Sequence, residues 1–153
     1  KDTNKFDIDL KNAGDSNWKV QFFGTGMSLK ENTTYYYKAK FNSSIARKIY
    51  IGMQNSAGNT PYFLNAYNVV EGENTITGKY TATSTSDLNN FIMYLGGQDS
   101  NNPLAEHTIS IEEIEVGTKV IDNITPLHID YTSFIKTALN NNEYNGTFAQ
   151  IEV

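Results

Sequence analysis

Apolar and polar residues alternate with a period of two along most of the chain. That is the pattern of half-buried β-strands. In the segment KFDIDL, Phe6, Ile8 and Leu10 alternate with Asp7 and Asp9, and residues 12–17 then form a turn cluster. NWKVQFF follows, with Trp18, Val20 and Phe22 in one row and Lys19, Gln21 and Phe23 in the other. This parity assigns Trp18 to the core. GTGMSLKENTT reads as a loop carrying the apolar pair Met27 and Leu29. YYYKAKF sets Tyr35, Tyr37, Ala39 and Phe41 against Tyr36, Lys38 and Lys40. KIYIGMQ sets Ile49, Ile51 and Met53 against Tyr50, Gly52 and Gln54.

YFLNAYNVV predicts a ragged strand, and ENTITGKYTAT alternates Ile76, Gly78, Tyr80 and Ala82 with polar neighbours. NNFIMYLGG places Phe91, Met93 and Leu95 in one row and Asn90, Ile92, Tyr94 and Gly96 in the other. TISIEEIEV closes the series. Its apolar parity slips at Glu112–Glu113, which predicts a β-bulge. Many short strands at regular spacing define an all-β sandwich of two antiparallel sheets.

The tail, 118–153, has a different pattern. Tyr131, Phe134, Ile135, Ala138 and Leu139 fall near helical spacing and predict a short helix. EYNGTFAQIEV then reads as a strand, with Phe148 and Ile151 as packing residues. The 153 residues are read as a single domain.

Composition narrows the function. Charged residues are 19% of the chain, the net charge is −5, and Arg47 is the lone arginine. Such a surface is a poor match for phosphate backbones, so nucleic acid is not an expected partner. No basic amphipathic stretch suits a membrane surface, and no apolar run approaches spanning length. The absence of cysteine removes disulfides, thiol catalysis and thiolate-bound zinc. The Asn- and Tyr-rich, Arg-poor composition suits a module that is secreted or held at a bacterial cell surface.

Catalytic signals are weak. His107 and His128 each stand alone, and no nucleophile elbow accompanies them. Glu112, Glu113 and Glu115 share one strand. A glycosidase needs two carboxylates facing each other across a cleft, whereas neighbours on one strand mostly point apart. The oxygen-rich loops at 12–17 and 99–102 lack EF-hand spacing.

The rows opposite the core carry more information. Lys19/Gln21/Phe23, Tyr50/Gly52/Gln54 and Asn90/Ile92/Tyr94 each mix aromatic or apolar groups with amides. If these strands adjoin, rings and amides form one patch. A sugar offers an apolar C–H face and a rim of hydroxyls. Flat rings cover the first, and amides bond the second as donor and acceptor. An ordinary β-surface, where Tyr and Gln are common, is the other reading of the same rows.

NAGDSNWKVQF, MSLKENTTYYYKAKF, YLGG and ISIEEIEV stand in this order. Together, across residues 6–117, they resemble the carbohydrate-binding modules of families 4, 9, 16 and 22, family 4 above all. The resemblance implies a jelly-roll β-sandwich with a non-catalytic role, covalently linked to a secreted glycoside hydrolase. It implies a cleft on the concave sheet that grips internal stretches of a polysaccharide chain. β-Glucan or xylan is the first expectation and starch-like α-glucan the next. Carried over residue by residue, the resemblance points to Gln21, Tyr50, Gln54, Tyr62, Asn90 and Tyr94 as ligand contacts.

The chain departs from the family pattern in three places. Asn32 replaces a usual turn glycine, and Asn tolerates a left-handed backbone. Glu112 replaces an Asp that in the family often helps hold calcium; with the oxygen-rich loops at 12–17 and 99–102 it is a candidate for holding a structural Ca²⁺, and no cofactor is required. The family's opening N-G-x-F strand is missing, while YNGTF occurs at 144–148. Either the module is circularly permuted, with Tyr144–Val153 in the empty strand slot, or 140–153 begins a following segment. A monomer is expected. The competing reading is a structural or adhesive β-sandwich of a bacterial surface protein, and a small glycosidase is the third.

Overall fold

The structure, a computed structural model, describes residues 5–58, 60–97, 103–119 and, for the backbone, 134–138. Among these are nine strands. They are β1 (Phe6–Leu10), β2 (Val20–Leu29), β3 (Thr34–Ser43), β4 (Arg47–Gln54), β5 (Pro61–Val69), β6 (Gly72–Thr81), β7 (Ser86–Tyr94), β8 (His107–Gly117) and β9 (Phe134–Ala138). A single 3-10 turn, Asn17–Lys19, precedes β2. The strands form a four-stranded sheet in the order β1-β8-β3-β6 and a five-stranded sheet in the order β5-β4-β7-β2-β9. All pairings between neighbours are antiparallel. The all-β sandwich expected from alternation is the observed fold.

The alternating apolar rows supply its core. Tyr37, Ala39 and Phe41 of β3 and Ile109 of β8 are fully buried, as are Ile49, Ile51 and Met53 of β4 and Phe91 and Met93 of β7. Rows from both sheets join one cluster. Each large side chain so buried contributes roughly 1.5–3 kcal/mol. Tyr37 lies over its cross-strand partner Gly78, and a Cβ there would collide with the Tyr37 hydroxyl. The bulge predicted in β8 is present. Lys40 of β3 pairs with Glu113 but Phe41 pairs with Ile111, which leaves Glu112 as the extra residue. Asn32 has φ +60, as a glycine substitute in a left-handed turn should.

Three expectations are corrected. Trp18 is not in the core. The 3-10 turn breaks the strand parity ahead of Val20, and the indole is 46% exposed. The segment 24–29 is not a loop. It continues β2 through register shifts on either side of Met27, aided by positive φ at Gly26. The helix expected around Phe134–Ala138 is a strand, β9, paired with Val20–Gly24. A short apolar run carries too few residues for its period to decide between the two, and the free edge of β2 offers a ladder. The strand expected at 144–153, with Phe148 and Ile151, lies outside the described residues, as does His128.

One buried cation ties the fold together near the YLGG motif. Arg47 Nη2 donates to the carbonyls of Leu95 and Gly96, both at 2.7 Å, and Nη1 donates to His107 Nε2 at 2.6 Å. A guanidinium has no acceptor, so Nε2 must accept. The ring proton then sits on Nδ1, which donates to the Ala105 carbonyl at 2.7 Å. Burial pulls the guanidinium down to about 10, which leaves it charged at neutral pH. The same glycines receive the 13–17 segment: Gly96 N–H donates to Asn17 and Gly97 N–H to Ala13. A Cβ on Gly96 would collide with the Ser16 carbonyl, and one on Gly97 with the Gly14 carbonyl.

Candidate functional site

The five-stranded sheet has one face in the core and one turned away from it. Register fixes which residues stand on the face away from the core, although Gln21, Gln54, Asn90, Ile92 and Tyr94 there are themselves buried. Gln21 of β2, Tyr94 of β7 and Tyr50 of β4 stand opposite one another in a row. Phe23, Ile92 and Gly52 form the next row, and Asn90 and Gln54 the third. None of these eight belongs to the core cluster between the sheets. The three strands that sequence reasoning needed as neighbours are neighbours, and their non-core rows adjoin.

Gln21, Phe23, Gln54 and Asn90 of these rows line an open groove of roughly 380 Å³. Gln21, Gln54 and Asn90 supply amides, Phe23 and Leu88 supply apolar surface, and Thr25, Gly26 and the 56–58 turn complete the wall. Among the described residues no lining residue is charged. The amides are anchored rather than loose. Gln21 Nε2 donates to the Trp18 carbonyl at 3.0 Å, and Asn90 Nδ2 to the Asn55 carbonyl at 3.4 Å. The Tyr94 hydroxyl donates to Gln54 Oε1 at 2.9 Å. Burial raises the Tyr94 phenol above its ordinary pKa, so it remains a neutral donor.

Three of the six expected contacts, Gln21, Gln54 and Asn90, therefore meet in the groove. Tyr94 and half-buried Tyr50 stand in the adjoining row, and Tyr94 reaches the groove through Gln54. Tyr62 is set apart from this patch. It packs against the core cluster and stacks on Tyr80, with centroids 6.3 Å apart and planes 9° from parallel. Its hydroxyl donates to Asn89 Oδ1 at 2.7 Å. The reason is local: a register shift between Met53 and Gln54 interrupts the β4–β5 pairing beside it.

Seven of the described groove residues were missing from the expected set, the apolar Phe23 and Leu88 among them. Phe23 lay in a row already marked as mixed. Leu88 continues the Tyr94–Ile92–Asn90 row by one more step of two, a signal present in the sequence but hidden by the polar run around it.

Glu112, the candidate calcium ligand, faces Lys40 Nζ at 3.4 Å on the four-stranded sheet. Among the described residues no three acidic, His or Cys side chains converge. Glu113 pairs with Lys38 at 3.2 Å on the same sheet. Glu115 bonds Glu113, which lowers the pKa of Glu113 and raises its own. These carboxylates are away from the groove.

No protein-family model and no curated protein matches the sequence. Solved structures do: the chain shares the β-sandwich fold of structures described as carbohydrate-binding modules. One such structure, described as "CBM4 structure and function", aligns at TM-score 0.65 over 75% of this chain and 71% of its own, with 21% identity. A second, "PbXyn10C CBM APO", aligns at TM-score 0.66 over 95% of this chain and 86% of its own, with 15% identity. At these identities the likeness is one of fold.

Proposed function

We propose that this chain is a non-catalytic carbohydrate-binding module that holds an internal stretch of a neutral polysaccharide in the groove of its five-stranded sheet. The observation that carries this reading is the convergence of Gln21, Gln54 and Asn90 beside Phe23 and Leu88 in a groove whose described lining residues carry no charge. Amides match a hydroxyl rim, and apolar side chains match C–H faces. The groove is open, so a chain can enter without a free end. Among the described residues its lining holds no carboxylate for glycosidic cleavage.

β-Glucan or xylan is the first ligand class and starch-like α-glucan the second. The module acts by tethering: it raises the local concentration of substrate for a covalently attached, secreted glycoside hydrolase. An open groove of this kind should bind with a dissociation constant of about 1–100 μM, about −8 to −5.5 kcal/mol. Electrophoresis through native gels containing hydroxyethylcellulose, xylan, laminarin, mannan or starch tests the reading. Retardation in at least one gel is expected. Uniform mobility in all of them would favour the adhesive surface module, and release of reducing sugar would favour a glycosidase.

A further inference from the structure

Among the described groove residues Leu88 is the one whose backbone is strained. Its φ is +59 and its side chain is 64% exposed. Left-handed φ is uncommon for residues other than Gly, Asn and Asp, and bulky side chains seldom adopt it. Such strain persists only where the surroundings enforce it, and it gathers at ligand clamps.

The enforcing group is Asn89, which is almost wholly buried and fully bonded. Asn89 Nδ2 donates to the carbonyls of Met27 and Ser86, both at 2.9 Å. Its Oδ1 accepts from the Ser86 hydroxyl at 3.1 Å and from the Tyr62 hydroxyl at 2.7 Å. This network pins residues 86–89 and leaves an isobutyl group standing on the groove wall near Asn90, where water would otherwise wet it.

We infer that Leu88 is a specificity-determining residue of the groove, which selects all-equatorial pyranose chains, gluco- or xylo-configured, over chains with an axial hydroxyl. The inference rests on the carbohydrate-binding reading above. All-equatorial rings turn only axial C–H bonds to their faces. A ring lying against Leu88 then buries apolar surface on both sides. An axial hydroxyl directed at Leu88 would lose water and gain no partner, and that penalty discriminates strongly. The amides Gln21, Gln54 and Asn90 remain to bond the equatorial rim.

The test compares the parent with Leu88→Gly and Leu88→Asn in native gels containing hydroxyethylcellulose, xylan or galactomannan, together with melting temperatures. Both replacements accept positive φ. They should melt at or above the parent temperature, yet bind hydroxyethylcellulose or xylan about tenfold more weakly, as expected for one lost apolar contact. The gap between those polymers and galactomannan should narrow in Leu88→Asn. Unchanged affinity in both variants would overturn the assignment of Leu88 and leave glycan binding intact. Equal retardation of the parent by galactomannan would overturn the selectivity alone. If no polymer retards the parent, the binding function fails and Leu88 loses its role with it. A fall in melting temperature that parallels the loss of binding would make Leu88 a structural residue.

Discussion

Tyr94 and Gln54 sit on adjacent strands, β7 and β4, and the phenol donates its proton to the amide oxygen at 2.9 Å. Both residues are nearly buried. The bond fixes the orientation of the Gln54 amide, so the NH₂ group is the part left to face the groove. Tyr94→Phe should destabilise the fold by about 1–2 kcal/mol, because a buried carbonyl oxygen loses its donor. Glycan affinity should fall as well, since the amide can then turn. Urea unfolding and titration with the polysaccharide that retards the parent would check both. Full affinity in the variant would show that Gln54 is held by other means.

The Arg47–His107 contact predicts acid sensitivity. Burial, chiefly, and then the Arg47 charge hold the His107 pKa below its ordinary value. The folded state thus prefers neutral imidazole, while the unfolded chain takes a proton near the ordinary value of about 6.5. Stability from this site is complete above that pH and is lost as pH falls below it toward the folded-state pKa. Melting temperature should drop as the buffer is taken from about pH 8 to pH 5, more steeply than in His107→Gln, which keeps an acceptor and cannot protonate. Equal slopes would refute the account.

The docking of the 13–17 segment on the YLGG glycines makes Gly96 irreplaceable by even a methyl. A Cβ there meets the Ser16 carbonyl, a backbone group also tied down through Lys19 N–H. Gly96→Ala should cost about 1–3 kcal/mol by overpacking, read as a lower denaturant midpoint with an unchanged m-value.

Binding should depend little on pH or salt. Among the described residues no lining residue of the groove is charged, and the nearby phenol of Tyr94 titrates above its usual value. Affinity for a neutral glycan should stay constant between about pH 7 and pH 9 and across about 0.05–0.5 M salt. A strong salt dependence would mean that the ligand is charged or binds elsewhere.

Trp18 offers an optical check on the fold. It is the sole tryptophan and is nearly half exposed. Emission should be red-shifted and readily quenched by iodide in the native state. A blue-shifted, protected emission would place the indole in the core after all.

The sandwich was legible because its strands obey a simple period. Phe91, Met93 and Leu95 had to share a face, and the residues between them had to share the other. Even the bulge at Glu112 announced itself as a slip in parity. The failures fall where parity stops being informative. The 3-10 turn at Asn17–Lys19 spends residues without alternation, so Trp18 was counted into a row it does not join. Gly24 and Gly26 look like a loop in sequence, yet they are the flexible links that let β2 run past a bulge. The short run 134–138 could serve either period, and the unpaired edge of β2 decided it. Of the expected contacts, the meeting of Gln21, Gln54 and Asn90 on one face follows from register alone. Tyr62 depended on the course of β5, which a register shift redirected. Leu88 required knowing that Asn89 was bonded on every side.

The extra residue in β8 has one more implication. Ile109, Ile111, Ile114 and Val116 all reach the interior only because Glu112 is skipped between the second and the third. A regular strand can slide along its neighbour by two positions and keep its oily side inward. This one cannot: any such slide would drag a glutamate inward or push an isoleucine out. The irregularity works as a key cut into the strand, admitting a single alignment with β3 and so fixing how the sheet behind the groove is assembled.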